Sequence, residues 1–170
     1  MDLKSLIRDV ADFPKPGIVF KDITPLLQDK KALKNVVVEL SRRFKDAKID
    51  QVVGVESRGF ILAPAIALEL GCGFIPVRKP GKLPADTIQQ TYQLEYGTDS
   101  VEIHRDALNK GKRLLLVDDV LATGGTMEAT CRLVEKLKGT IVGTCFMIEL
   151  AFLQGRDKLS PYPVEALLIY

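Results

Sequence analysis

Residues 114–126, LLLVDDVLATGGT, constrain the fold more than any other stretch of the chain. Leu114, Leu115, Leu116 and Val117 form a short, bounded apolar run without alternation, the pattern of a strand buried on both faces of a parallel sheet. Such a strand requires helices above and below it. Met127, Cys131, Val134 and Leu137 then recur at helical spacing, so the turn between them is a strand-to-helix junction. From Ala122 through Thr123, Gly124 and Gly125 to Thr126 every side chain is tiny or a hydroxyl. Backbone N–H groups can therefore approach an anion closely at the helix N-terminus, with Thr123 and Thr126 as further donors. Asp118 and Asp119 are expected at the carboxyl end of the strand, where they suit sugar hydroxyls or Mg²⁺. No lysine follows Gly125, as a Walker loop would require, and the acids precede the glycines directly instead of lying some twenty residues beyond them. An ordinary strand-turn-helix shares this outline, but two adjacent acids beside Thr-Gly-Gly-Thr are costly to place without a ligand.

A second apolar strand, from Val52, ends in Glu56-Ser57-Arg58-Gly59 and opens a helix. In a doubly wound sheet ligands gather outside the carboxyl ends of the strands, so both loops belong to one crevice and Arg58 points into it. A solvated arginine at a helix start is the plainer alternative. Between the loops, Pro80, Gly81 and Pro84 forbid a continuous helix or ladder while Arg78, Lys79 and Lys82 gather within five residues. This reads as a basic loop able to close over an anionic substrate and exclude water. Arg78 and Lys79 are expected to be fixed at a strand end and Lys82 to travel with the loop.

The remaining pattern alternates. We expect helices around Leu3 to Val10 and near Lys31 to Lys45, then strand Gln51 to Val55, helix Gly59 to Leu70 and strand Gly73 to Val77. An antiparallel pair follows near Gln90 to Tyr96 and Ser100 to Ile103. Strand Arg113 to Asp118, helix Gly125 to Leu137, strand Thr140 to Ile148 and a last strand Val164 to Tyr170, at an edge or under a hood, complete the series. This alternation predicts an α/β fold with a mainly parallel, doubly wound sheet. There are no repeats, no low-complexity tract and no long linker, so residues 1–170 are expected to form one domain.

Five segments occur in an order that resembles the adenine branch of the type I phosphoribosyltransferases: FPKPGIVFKDITPLL at Phe13 to Leu27, ESRGF at Glu56 to Phe60, RKPGKLP at Arg78 to Pro84, LEYG at Leu94 to Gly97 and VDDVLATGGT at Val117 to Thr126. The resemblance implies a small N-terminal hood, mainly residues 1–35 with part of the C-terminal segment, and a flexible antiparallel lid. It implies transfer of a phosphoribosyl group from phosphoribosyl pyrophosphate (PRPP) to N9 of adenine, giving AMP and pyrophosphate. Asp118 and Asp119 would hold the ribose diol and Ala122 to Thr126 the 5-phosphate. Glu56, Ser57, Arg58, Arg78, Lys79 and Lys82 would meet the pyrophosphate, with a non-proline cis peptide near Glu56-Ser57. Glu95 on the lid would be the general acid/base for the purine imidazole. Phe20 would stack on adenine, the main chain of Val19 and Lys21 would read its edge, and Leu150 would close the other face. Phe20 taken alone also reads as plain core. Many relatives carry arginine where this chain has Lys21, which removes any bidentate side-chain contact there. Mg²⁺ would come with PRPP, held mainly by the substrate and water with no direct protein ligand, and the assembly would be a homodimer.

The net charge of +2 is too small for a nucleic-acid surface, and the cations concentrate at the lid. Cys72, Cys131 and Cys145 are odd in number, lack metal spacing and lie in apolar elements, so they read as buried thiols in a reducing compartment. Charges throughout Met1 to Val10 argue against a signal peptide, and no apolar run approaches a membrane span; a cytoplasmic protein is expected. His104 has no readable partner and is expected to be structural, although a phosphate contact is open to it. Two other functions remain: a 6-oxopurine transferase (xanthine or hypoxanthine-guanine), which would share the cradle but use a lysine against O6, and a non-catalytic PRPP sensor. A sensor needs a DNA-reading domain, for which the residues before Gln51 offer no pattern.

Overall fold

The computed structural model describes residues 2–94 and 97–170. Its centre is a five-stranded, wholly parallel sheet in the order β4-β3-β7-β8-β9. In chain order the elements are β1 (Arg8–Ala11), β2 (Val19–Asp22), α1 (Thr24–Gln28), α2 (Lys30–Arg42), β3 (Gln51–Val55), α3 (Gly59–Leu70), β4 (Gly73–Val77), β5 (Thr87–Gln93), β6 (Thr98–His104), β7 (Arg113–Leu121), α4 (Gly125–Lys136), β8 (Thr140–Glu149) and β9 (Val164–Ile169). Strands β1 and β2 pair antiparallel as the hood, and β5 and β6 pair antiparallel as the lid.

The central strand is buried on both faces. Leu115 and Val117 enter one core cluster with Leu62 and Ile66 of α3 and Val36 and Leu40 of α2. Leu114 and Leu116 enter a second with Met127, Leu133 and Val134 of α4 and Ile103 of the lid. All four are fully buried, which is why the run shows no polar alternation. Helices α2 and α3 thus cover one face and α4 the other. The chain leaves β3 toward β4 on one side and finds β7 on the other, so the crevice at this change of direction lies between the ends of β3 and β7.

Two expectations are corrected. Leu3 to Val10 is not a helix: Lys4–Leu6 make a single 3-10 turn and Arg8–Ala11 pair with β2. Cross-strand ion pairs, Arg8 to Asp22 at 2.5 Å and Lys21 to Asp9 at 2.7 Å, favour the ribbon, and Ile7 turns into the core. Strand β7 also runs past the acids to Leu121. Its pairing with β3 ends at Gly54–Val117, while its pairing with β8 continues through Val120–Ile148 to Leu121–Glu149. Asp118 and Asp119 therefore emerge where one neighbouring strand stops and the other persists.

Candidate active site

The turn after β7 is built from close backbone approach. Gly124 has φ +81°, and a Cβ there would stand 2.5 Å from the carbonyl oxygen of Gly155. Reciprocally, a Cβ on Gly155 would stand 2.2 Å from the carbonyl oxygen of Ala122. Position 124 thus needs glycine for both its torsion and its space. Gly155 reads in the sequence as a turn residue, but the turn torsion belongs to Gln154 (φ 53°), and Gly155 is a backbone buttress under the loop. A contact between distant loops leaves no local pattern, so sequence reasoning missed it. Residues 118 and 120–127 with Phe146 line a concavity of about 70 Å³ at the start of α4. Thr123 is exposed and Thr126 half-buried there.

The two acids stand above this nest in different environments. Asp119 is 3% exposed and its Oδ2 lies 2.7 Å from Arg58 Nε. That contact is a charge pair without hydrogen-bond alignment, so Oδ2 remains a buried acceptor with no hydrogen-bonded partner. Asp118 Oδ1 accepts the N–H of Asp119 at 2.8 Å. Burial, then the adjacent Asp119 charge, pushes the Asp118 carboxyl well above the usual range. Burial also raises Asp119, against the pull of Arg58. An orphaned acceptor beside a second carboxyl suits a hydroxyl-bearing ligand that donates to both.

The loop after β3 contributes the opposite charge. The Glu56–Ser57 peptide is cis, as expected from the resemblance. The start of α3 abuts the acids, since a Cβ on Gly59 would lie 3.0 Å from Asp118 Oδ1. Glu56 is a holder of cations: it accepts Arg78 Nη2 at 2.9 Å, Arg78 Nε at 3.2 Å and the Lys79 N–H at 2.9 Å. The Arg78 hydrogen bonds hold its carboxyl below the usual range. Arg78 Nη1 also donates to the Lys82 carbonyl at 3.0 Å, which ties the lid loop to the strand end. Lys82 and Ser57 are exposed. Lys79 Nζ donates to Asp99 and, at 3.0 Å, to the Tyr92 hydroxyl. Glu95, the expected acid/base, lies outside the described residues. His104 accepts the Ala85 N–H at 3.3 Å and braces the lid loop.

The hood supplies the remaining wall. Strand alternation divides its residues: Val19 and Lys21 line a cavity of about 510 Å³ with Leu150, Phe152 and Tyr170, whereas Phe20 turns toward Arg58. The Phe20 ring lies 4.8 Å from the Arg58 guanidinium carbon and 5.1 Å from the Phe13 ring centroid. Strand β2 has a partner on one side only, so its other edge offers main-chain donors and acceptors to a ligand. Lys21 Nζ is occupied, bonded to Asp9 at 2.7 Å and placed 4.2 Å from the Tyr170 ring centroid. Leu150 donates its N–H to the Leu121 carbonyl at 2.9 Å, which fastens this wall to the end of β7.

The chain is similar in sequence and fold to known proteins. Residues 22–165 match the phosphoribosyl transferase domain. An adenine phosphoribosyltransferase of Geobacter metallireducens is 58% identical over 169 residues, 99% of each chain. The crystal structure of the adenine phosphoribosyltransferase of Thermoanaerobacter pseudethanolicus superposes with a TM-score of 0.97 at 49% identity, covering 99% of this chain and 98% of that one. That of Saccharomyces cerevisiae, complexed with adenine and an imino-altritol bisphosphate, gives a TM-score of 0.93 at 42% identity over 98% of this chain and 97% of its own. The chain belongs to the adenine phosphoribosyltransferases.

Proposed function

We propose that this chain transfers the 5-phosphoribosyl group of PRPP to N9 of adenine, giving AMP and pyrophosphate in purine salvage. The observation that carries the reading is Arg58, which spans from the buried acid Asp119 to the Phe20 ring. One side chain thus joins the sugar acids, the base platform and the pyrophosphate loop. The nest of Ala122 to Thr126 takes the 5-phosphate, and Asp118 with the orphaned Asp119 Oδ2 takes the ribose diol. Their negative potential favours the cationic character that develops on the ribose as the bond to pyrophosphate breaks. Arg58, Arg78, Lys79 and Lys82 stabilise the charge gathering on that leaving group, a preorganised electrostatic contribution. Adenine lies on Phe20 with its edge toward the main chain at Val19 and Lys21, and Leu150, beside the Val19 and Lys21 side chains, borders the site from that side. Glu95 serves as acid/base for the purine.

Mg²⁺ fits as an ion carried in by PRPP. Its ligands would come mainly from substrate oxygens and water, the usual manner of Mg²⁺ bound with a phosphate substrate. When bound it neutralises charge on the departing pyrophosphate. Ile61 and Leu68, 43% and 83% exposed on the outer side of α3, favour burial against a twofold mate. Burial pushes the Cys131 and Cys145 thiols up to about 12, and unpaired thiols fit a cytoplasmic location. No helix among the described residues is long and apolar enough to cross a membrane.

The test is nucleotide synthesis from PRPP and Mg²⁺ with adenine, hypoxanthine, guanine and xanthine in parallel, with Glu95→Gln alongside. AMP from adenine alone, reduced about 10²- to 10⁴-fold in the variant, is expected. Turnover of an oxopurine would refute the base assignment, and PRPP binding without turnover would refute the enzyme.

A further inference from the structure

One rung of the lid ribbon touches residues assigned to both anionic ends of the substrate. Tyr92 on β5 and Asp99 on β6 stand directly opposite each other, and the Tyr92 hydroxyl donates to Asp99 Oδ2 at 3.1 Å. Each then contacts a residue assigned above to a different end of PRPP. Thr126 Oγ1, in the 5-phosphate nest, donates to the Tyr92 hydroxyl at 3.1 Å. Lys79 Nζ, among the pyrophosphate cations, pairs with Asp99 and donates to Tyr92 at 3.0 Å. The contact is built in: Tyr92 is buried, its ring lies 3.2 Å from the point where a Cβ on Gly125 would stand, and Asp99 Oδ1 is fixed by the Ser100 N–H at 2.7 Å.

The donors are limited. A threonine hydroxyl has one proton, and Thr126 gives it to Tyr92, so a phosphate on the nest must take that proton away. An ammonium has three, and two of those on Lys79 face the rung. A pyrophosphate reaching the third meets the Asp99 carboxylate beside it, and like charges at such separations repel.

We propose that Tyr92 and Asp99 are counter-ligands: they hold Thr126 and Lys79 in the free enzyme, compete with the 5-phosphate and the pyrophosphate for them, and recapture them as products leave. This rests on the assignment of Thr126 and Lys79 under the proposed function. Neither counter-ligand touches a reacting atom; both are positioning residues. Their effect is to weaken ground-state binding of the two anionic ends and to speed release, which a lid enzyme needs when product departure limits turnover.

Asp99→Asn and Tyr92→Phe preserve size; the first tests the pyrophosphate end, and the second frees Thr126 and one Lys79 proton and so tests both. Calorimetric titration of Asp99→Asn with pyrophosphate is expected to show severalfold tighter binding, with ribose 5-phosphate little changed. Tyr92→Phe is expected to tighten ribose 5-phosphate severalfold. In both, KM for PRPP and kcat fall together, because slower release follows tighter binding. A residue that merely props the lid would raise KM and weaken binding, and that result overturns the proposal. Lys79→Ala separates the two levels of argument. Unchanged pyrophosphate affinity in Lys79→Ala overturns the pyrophosphate assignment and the proposal with it. Affinity lost in Lys79→Ala but not gained in Asp99→Asn overturns the proposal alone.

Discussion

The phosphate nest and the hood face the same crevice but are made in opposite ways. The nest is held by buried contact of backbone on backbone, Gly124 against Gly155 and Gly155 against Ala122, beneath fully buried Val117 and Leu121. The hood is a two-stranded ribbon with Phe13, Ile18 and Val19 39–51% exposed, joined by ion pairs at its surface. Two strands alone are marginal in water, and exposed ion pairs add little. The rigid part holds the chemistry, where a small displacement is costly. The adjustable part reads the base, where a planar ring and a strand edge tolerate small shifts. The contrast predicts that damage to the nest cuts turnover with every substrate, whereas damage to the hood affects adenine alone.

Gly155→Ala is the severest test of the first half. The new methyl would stand 2.2 Å from the Ala122 carbonyl oxygen, so the loop must move, at about 1–3 kcal/mol for overpacking of this kind. We expect KM for PRPP to rise and kcat/KM for PRPP to fall by about 10²-fold, with KM for adenine little changed. Near-normal PRPP kinetics would show that the nest is not rigidly buttressed. Phe20→Ala tests the second half with a smaller effect. Loss of a stacking face is worth about 1–3 kcal/mol per base, which predicts a rise in KM for adenine of roughly 5- to 150-fold, with PRPP binding retained. An equal rise in KM for PRPP would mean that Phe20 acts chiefly by holding Arg58.

The same contrast decides what the sequence reveals. Leu114 to Val117 lie between two cores and so carry an unbroken apolar pattern; the acids and small residues after them report their task by type. Gln51 to Val55, Gly59 to Leu70 and Gly73 to Val77 follow similarly, and their bounds agree with the structure. The hood misleads because its strand β1 is only four residues long and owes its conformation to partners in β2; a tertiary pairing of that kind overrides local propensity. Gly155, Tyr92 and Asp99 escape for a related reason, since each acquires its role through a contact distant in sequence. The separation of Phe20 from Val19 and Lys21 onto opposite faces is the ordinary alternation of a strand.

Two carboxylates carry the comparison to its finest scale. Asp118 in the nest is raised by burial and by Asp119, so its ionisation opposes folding at neutral pH, and the opposition is relieved as pH falls through that raised value. Asp22 in the hood is lowered to about 2, first by its hydrogen bonds from Thr24 and then by Arg8. Its contribution is complete above its ordinary value of 3.8 and is lost as pH falls toward about 2. Asp118→Asn, which keeps an acceptor for the Asp119 N–H, should therefore melt higher than the parent at pH 7, by about 2–4 °C if the relief is about 1 kcal/mol, while losing turnover. Asp22→Asn should melt lower by a smaller margin and keep turnover. Both differences shrink with acid, with opposite signs, in melting curves taken from pH 7 downward. A lower melting temperature for Asp118→Asn would mean that the acid pair is satisfied by the fold itself and that its charge is not reserved for the sugar.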